Sequence, residues 1–262
     1  MPGLFRTLAR FAARFAIAIS FATLIVAQPA RAAEDMSPEQ KKAIETVIKD
    51  YLMANPEVIV DAVEAMQKRK AAEAEAMAMS NLKNSNKQLR RDPNSYVGGN
   101  PDGDVTLVEF FDYRCGYCKK VHPVMAELLR TDKNIRVVYK EFPILGPQSK
   151  MASLVAIAAN RVDPSKYLGF HNALMSAKGG LNQVAIQDIA AEAGFDMAAL
   201  SQELRNPEIE QIVADNYELA KKLGITGTPG FVIGDTIVPG YINISQMRDL
   251  VEQARTECKT CQ

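Results

Sequence analysis

Two cysteines separated by two residues, Cys115 and Cys118, stand where an apolar strand gives way to a helix. Residues 105–111 are apolar and rich in β-branched and aromatic side chains, which predicts a largely buried strand. After the cysteines, apolar side chains recur at the spacing of an amphipathic helix to about residue 129, and a second strand is predicted over residues 135–140. This order of elements favours an α/β fold with the cysteines at a strand-to-helix junction.

That junction predicts an acidic thiol at Cys115. The free N–H groups and the dipole at the start of a helix favour a negatively charged sulfur. Cys118 lies one turn further along, inside the helix and less accessible. Cys115 is therefore the expected nucleophile, and Cys118 is expected to close the disulfide or to release a trapped mixed disulfide. Neither sulfur needs a cofactor for this chemistry.

A second Cys-x-x-Cys pair, Cys258 and Cys261, lies near the end of the sequence. Four thiolates would suit zinc, but the 139 residues between the two pairs are far from the spacing of a zinc ribbon. Three interpretations of the second pair stay open: a local disulfide or flexible tail, a second redox pair, or a soft-ligand clamp for Cu(I).

Residues 1–32 are predicted to be a signal peptide. Arg6, Arg10 and Arg14 precede an uncharged apolar run of 13 residues, and Ala30-Arg31-Ala32 fits a signal peptidase site. A run of that length is short for a bilayer span, which takes about 20 residues. An uncleaved anchor is the alternative, but we expect cleavage near Ala32 and export to the periplasm.

The net charge argues against nucleic acid as the main partner. Residues 1–32 hold four arginines and no acid, which leaves 27 basic side chains against 31 acidic ones, a net charge of about −4. Four cysteines are also too few for a disulfide-stapled miniprotein. Their number and spacing favour redox chemistry over a structural framework.

Residues 33–91 are predicted to form a helical oligomerisation arm. Ser37, Pro38 and Gln40 give a capping box with proline at the first helical position, and apolar side chains follow at helical spacing to about Leu52. A second helix starts at Asn55-Pro56, and if it ran unbroken over residues 56–91 it would be about 50 Å long. Such a helix needs a partner, so we expect a coiled-coil-like homo-oligomer. A solvated linker helix or a partly disordered spacer is the alternative.

Residues 92–262 are predicted to form the catalytic domain. A turn cluster over residues 98–103 opens it, and residues 148–223 have the repeated apolar stripes of several helices. Gly234-Asp235 between two short apolar runs indicates a β-hairpin. A last helix is expected over about residues 244–256.

The sequence resembles the DsbA family over about residues 94–257. The resemblance rests on residues 108–113 leading into the Cys115–Cys118 pair, on residues 139–143, on the helical insertion and on residues 227–229. With the arm included, the chain is similar to the trimeric suppressor-of-copper-sensitivity C-type disulfide isomerases and to Com1-like exported proteins. The resemblance implies a thioredoxin fold with an inserted helical subdomain.

The resemblance also implies roles for further residues near the cysteines. Pro229 would be a cis-proline that faces the sulfurs, and Thr228 would offer backbone hydrogen bonds to a substrate strand. Glu109 looks like the buried carboxylate that shuttles protons for Cys118, since burial raises a carboxyl pKa toward neutrality; a surface glutamate is the alternative. Lys140 is a candidate partner for Glu109.

Gly116 and Tyr117 separate the two cysteines, whereas the strongest oxidases of the family have Pro-His there. Without an imidazole at that position, Cys115 is expected to be less acidic and its disulfide less oxidising than in those oxidases. Threonine before the cis-proline also resembles the isomerases. His122 is expected to be a surface or packing residue, with tuning of the cysteines as the alternative.

These features predict an exported thiol–disulfide oxidoreductase that acts as a disulfide isomerase. Its partners would be misfolded or reduced exported proteins and a membrane redox partner, and a trimer is the favoured assembly. A DsbA-like oxidase that donates disulfides and a copper-binding or copper-relay thiol protein are the alternatives.

Overall fold

The computed structural model describes residues 36–257. The helices in this part of the chain are α1 (Pro38–Ala54), α2 (Glu57–Asn84), α3 (Asn86–Arg90), α4 (Gly116–Thr131), α5 (Pro147–Val162), α6 (Pro164–Ser176), α7 (Gln183–Glu192), α8 (Met197–Glu203), α9 (Glu208–Lys222) and α10 (Ile244–Glu257). The strands are β1 (Tyr96–Gly99), β2 (Val105–Phe111), β3 (Ile135–Glu141), β4 (Gly230–Ile233) and β5 (Thr236–Pro239). None of these helices is both long and apolar enough to cross a membrane.

The chain divides into two compact units, one up to Asp61 and one from Ala62. In the first unit, α1 begins with the predicted capping box. The Ser37 hydroxyl oxygen accepts a hydrogen bond from the Gln40 amide, and the Gln40 side-chain oxygen accepts one from the Ser37 amide at 2.8 Å. No residue of α1 is buried. Its apolar stripe therefore stays about half exposed or more, at Ile44, Val47, Ile48 and Tyr51.

Residues 56–91 do not form one unbroken helix. Helix α2 ends at Asn84, and α3 follows after Ser85, whose backbone leaves the helical conformation (φ −100°, ψ 9°). Asn84, Ser85 and Asn86 have short polar side chains that compete for backbone hydrogen bonds and disfavour a helix interior. On either side of this break, Leu82 and Leu89 both bury their side chains completely in the second unit.

The sheet has the strand order β1-β3-β2-β4-β5. Strands β2 and β3 are joined through α4, as the sequence predicted. They are parallel, and the other neighbouring strands are antiparallel. The predicted hairpin at Gly234-Asp235 is confirmed as β4 and β5. Strand β1 was not predicted, because it overlaps the turn cluster expected over residues 98–103. Two glycines in a strand of four residues give no periodic signal.

The two faces of the sheet support two hydrophobic clusters. Side chains alternate along a strand, so Val105, Leu107 and Phe111 face a cluster with α4, α10 and the helical insertion. Val108 and Phe110 face a second cluster, which includes Leu82 and Leu89 and the end of α9. The insertion α5–α9 follows β3 and leads back to β4, which matches the expected thioredoxin fold with an inserted helical subdomain.

Candidate active site

Cys115 is the residue that caps the start of α4. Its backbone is extended (φ −71°, ψ 118°), and its sulfur accepts a hydrogen bond from the Cys118 amide at 3.4 Å. The side chains of both cysteines are free thiols. Between them, Gly116 and Tyr117 form the first turn of α4. Tyr117 is 62% exposed.

The surroundings of Cys115 lower its pKa to about 5. The hydrogen bond from the Cys118 thiol is the largest cause, and the Thr228 side chain and the amides of Cys118 and Tyr117 act in the same direction. Burial opposes them by penalising the charge. In its thiol form, Cys115 donates to the Thr228 carbonyl oxygen at 3.1 Å, which favours the proton, but the donors to the thiolate outweigh it. The sulfur is therefore ionised at neutral pH.

Cys118 has the opposite character. Its side chain is completely buried, and its pKa is raised by the hydrogen bond it gives to Cys115, by burial, and by the negative charges of Glu109 and Cys115. A thiol of raised pKa is a poor nucleophile until a base removes its proton. Cys115, which is 6% exposed, is therefore the acidic sulfur, and the completely buried Cys118 is the protonated one.

Glu109 lies in the middle of β2 on the face that carries the cysteine helix. It pairs with Tyr139 of β3 and Phe231 of β4, and it is 4% exposed. Burial is the main cause that raises its pKa to about 8, and the nearby Cys115 charge adds to it. A carboxyl with that pKa exchanges protons near neutrality, and its charge acts on both sulfurs.

The expected pairing of Lys140 with Glu109 is wrong. Lys140 pairs with Phe110 in the parallel register, so its side chain lies on the opposite face of the sheet. There the Lys140 Nζ donates to Asp92 Oδ2 at 2.6 Å and to the Gln88 carbonyl at 2.9 Å. The position facing Glu109 is taken by Tyr139.

The Thr228–Pro229 peptide bond is cis. The loop that carries it brings the Thr228 carbonyl against the Cys115 sulfur and leads directly into β4. The Pro229 carbonyl accepts a hydrogen bond from the Gly240 amide at 2.8 Å, which ties the loop to the end of β5. Cys115, Cys118, Glu109, Thr228 and Pro229 are therefore brought together at one end of the sheet.

The peptide before Cys115 is held by Asp112, which the sequence analysis did not single out. The Asp112 carbonyl accepts from the Cys115 amide at 3.0 Å, and its carboxylate accepts from the amides of Arg114 at 2.7 Å and Leu145 at 2.9 Å. An aspartate two residues before an amide is a common turn signal. These contacts fix the path of the chain into α4.

A buried polar cluster around Glu141 was also not predicted from the sequence. It contains Tyr113, Ser153, Tyr167 and His171, all at most 2% exposed. The pKa of His171 is lowered to about 3, chiefly by burial, so its ring is neutral. Its ring centroid lies 5.6 Å from that of His122, whose pKa burial also lowers. Polar side chains on separate elements give no periodic signal by which sequence could predict their meeting.

Cys258 and Cys261, like the predicted signal peptide 1–32, lie outside the described residues. Within residues 36–257 no group of three or more His, Cys, Asp or Glu side chains could hold a metal ion.

An acidic thiol paired with a protonated, fully buried one at the start of a helix is the arrangement that thiol–disulfide oxidoreductases use for exchange, and the chain has this arrangement. It belongs to the DSBA-like thioredoxin domain family, which matches residues 106–252. Residues 40–73 match a second family, the copper resistance protein ScsC N-terminal domain. The resemblance drawn from the cysteine junction and the arm is thereby confirmed.

Two solved structures show the same relationship. A thioredoxin-like oxidoreductase from Silicibacter pomeroyi is 44% identical, with 66% of this chain and 98% of that one covered and a TM-score of 0.63. Proteus mirabilis ScsC in a transitional conformation is 31% identical, with 85% of this chain and 98% of that one covered and a TM-score of 0.63.

Curated relatives are matched over a smaller share of their length. The thiol:disulfide interchange protein DsbC of Escherichia coli is 29% identical over 154 residues, which cover 58% of this chain and 53% of DsbC. A Na(+)/H(+) antiporter NhaA of Salinispora arenicola is 27% identical over 161 residues. The chain spans only 24% of that protein's length, about a quarter.

Proposed function

We propose that this oxidoreductase is an exported disulfide isomerase in which Cys115 attacks and Cys118 resolves. An isomerase needs a sulfur that is reduced and ionised when it meets a wrong disulfide, and the pKa of Cys115 supports that role. Glu109 serves as the base that takes the Cys118 proton during resolution. Thr228 and the cis-proline Pro229 receive the substrate strand.

The exposed apolar stripe of α1 supports the proposed assembly. No side chain of this 17-residue helix is buried, whereas most of the stability of a helix in a protein comes from packing of its apolar face. Covering the stripe with the same stripe of other copies would stabilise it. The match of residues 40–73 to the ScsC N-terminal domain supports this placement. We favour a trimer that presents several Cys115 sites to one misfolded client.

Two paired variants of the whole mature chain test the assembly. Ile44→Gln with Ile48→Gln removes apolar side chains from the stripe, whereas Lys42→Gln with Lys49→Gln alters the other side of α1 equally. We expect light scattering to give a smaller mass for the first pair alone, together with loss of the ability to reactivate scrambled ribonuclease. Reduction of a small disulfide should be unchanged in both. An isomerase of full activity at monomer mass would refute the proposed need for assembly.

A truncation is a poorer test. Leu82 and Leu89 are completely buried in the second hydrophobic cluster, so deletion of residues 33–91 would strip the core of the catalytic domain as well as the arm. A deletion that ends before residue 80 leaves those contacts in place.

A DsbA-like oxidase is the second candidate, and the acidity of Cys115 favours it. A stabilised thiolate stabilises the reduced form and makes the disulfide more oxidising, and a pKa of about 5 lies between the values near 7 for thioredoxin and near 3.5 for DsbA. The reduction potential separates the two. A value near −120 mV with re-oxidation by a membrane partner would indicate an oxidase, whereas a value near −180 mV, that of protein disulfide isomerase, supports isomerisation.

Export is part of the proposal and rests on the signal peptide predicted for residues 1–32. Mass spectrometry of the protein from the periplasmic fraction would give the mature N-terminus. We expect a chain that begins near Ala33.

A further inference from the structure

Glu141 is a second buried acid of this domain, separate from Glu109. It ends β3 opposite Phe111, is 4% exposed, and accepts hydrogen bonds on both carboxyl oxygens. Its Oε1 accepts from the hydroxyls of Tyr113 at 2.9 Å and Tyr167 at 3.0 Å, and its Oε2 accepts from the Ser153 hydroxyl at 2.7 Å. Ser153 and Tyr167 belong to α5 and α6, so the carboxyl binds two helices of the insertion.

Tyr113 belongs instead to the peptide that leads into Cys115. It stands two residues before the nucleophile and is completely buried, with its ring edge-on to Phe111 at 5.2 Å between centroids. Its hydroxyl lies 3.2 Å from Nδ1 of His171, again on α6. Of the residues around Glu141, Tyr113 is the one placed to transmit a constraint to the cysteines.

We propose that Glu141 is a positioning residue for thiol–disulfide exchange, which fixes Tyr113 and thereby the Asp112–Cys115 peptide against the helical insertion. The role rests on the proposed function of Cys115 as the nucleophile. Glu141 itself acts through Tyr113 and contacts neither sulfur in any hydrogen bond of the cluster.

The dependence of the thiolate on backbone geometry explains why such a constraint matters. The donors to the Cys115 sulfur include the amides of Tyr117 and Cys118, which point at the sulfur only while Cys115 caps α4. Hydrogen bonds weaken steeply as they bend or lengthen. A looser peptide before Cys115 spends less time in the capped geometry, so the thiolate loses stabilisation and the Cys115 pKa rises.

The chain offers a matched pair of variants. Tyr113→Phe and Tyr167→Phe each remove one hydroxyl that donates to the same oxygen of Glu141, but only Tyr113 is joined to the cysteine peptide. Glu141→Leu removes both acceptors at similar volume. Glu141→Gln is the conservative rescue: burial raises the pKa of Glu141 to about 8, so the acid is mostly neutral at pH 7, and glutamine keeps an oxygen for both tyrosines.

The experiment measures the Cys115 pKa by the pH dependence of its alkylation in the full mature chain, with thermal unfolding alongside. We expect Tyr113→Phe and Glu141→Leu to raise that pKa by about one unit, a roughly tenfold slower alkylation at pH 4. Tyr167→Phe and Glu141→Gln should keep the parent value, although Tyr167→Phe loses thermal stability.

Equal pKa values in Tyr113→Phe and Tyr167→Phe would overturn the proposal, whether both match the parent or both shift together. If Glu141→Leu does not fold, the two tyrosine variants decide together with His171→Phe, which removes the other partner of the Tyr113 hydroxyl and should keep the parent pKa. The unmodified chain separates the two proposals. An ordinary thiol pKa for Cys115 in that chain refutes the proposed role of Cys115. An acidic Cys115 whose pKa the variants leave unchanged refutes only the role of Glu141.

Discussion

The sulfur of Cys115 lies 3.1 Å from the carbonyl oxygen of Thr228, a residue 113 positions away in the sequence. As a thiol, Cys115 donates a hydrogen bond to this oxygen. As a thiolate it has no proton to donate, and two acceptors then face each other. The ionised state therefore depends on the Cys118 thiol and the donors at the start of α4, which gives the first prediction.

Cys118→Ala is expected to raise the pKa of Cys115 from about 5, because it removes the largest cause of the lowered value. A hydrogen bond to a charged group contributes about 1.5–3 kcal/mol, which corresponds to a rise of about 1–2 units. Thiolate absorbance at 240 nm measures it. Tyr117→Phe, which keeps the donating amide, serves as the control and should titrate like the parent.

The reduction potential should change its pH dependence near pH 5. Reduction consumes two protons below the Cys115 pKa and one above it, and each proton contributes about 30 mV per pH unit to a two-electron couple. The slope should thus fall from about 60 to about 30 mV per unit. Equilibration with glutathione over pH 4–8 measures this slope. The same measurement on Glu109→Gln excludes any protons that the Glu109 carboxyl takes up on reduction. A slope that stayed at about 60 mV per pH unit up to pH 8, the value for two protons, would contradict an acidic Cys115.

Glu109→Gln should slow the release of mixed disulfides by about 10²-fold, since a positioned general base contributes typically 10²–10⁴-fold. In the parent, the release rate should rise with pH through about 8 as the carboxyl ionises. Stopped-flow measurement of product release from a preformed mixed disulfide tests this. Glu127→Gln, on the exposed side of α4, is the matched control.

Glu109 should also make the folded protein less stable as pH rises. Its pKa is about 8 when folded and near 4.5 when unfolded, so its contribution is fully present below pH 4.5 and is lost as pH rises through 8. The loss is on the order of 3 kcal/mol by pH 7. Between pH 4 and 7, Glu109→Gln should therefore gain about 3 kcal/mol relative to the parent. Urea unfolding of the disulfide form measures the part of this change that burial causes, because Cys115 neither titrates nor carries a charge there. Parallel curves for the two proteins would exclude a carboxyl pKa raised by burial.

The ion pair between Lys140 and Asp92 should be important for stability. Lys140 is completely buried and Asp92 is 15% exposed, so Asp92→Asn leaves a buried charge without its counterion. Removal of one partner of such a pair costs about 3–5 kcal/mol. Glu210→Gln, which breaks the exposed pair with Lys150, should cost at most about 1 kcal/mol. Denaturant unfolding compares the two, and equal small losses would show that the buried pair contributes little.

The chemistry of the site was predictable from sequence because it is local. Cys115 and Cys118 sit at a junction of two strongly periodic elements, and the short hairpin after residue 229 carries its own turn signal. Glu109 could be placed within a buried strand, but which neighbour it meets depends on register. A shift of one position along β3 exchanges Tyr139 for Lys140 and reverses the face, and no pattern in the sequence fixes that register.

The contacts that join distant elements were not predictable in the same way. Leu82 and Leu89 belong to the stretch that was predicted to be an oligomerisation arm, yet they fill the second hydrophobic cluster. Tyr113, Glu141 and His171 come from three elements that sequence reasoning treated separately. Their meeting is decided by how the insertion packs on the sheet, which is a property of the tertiary structure.

The alternation of side chains along β2 has a consequence for how chains of this kind diversify. The odd-numbered positions serve the thiols and the insertion, and the even-numbered ones receive Leu82 and Leu89 from the preceding segment. An N-terminal extension can therefore be replaced, lengthened or lost through changes on one surface of the sheet, while the redox chemistry on the other surface is inherited intact.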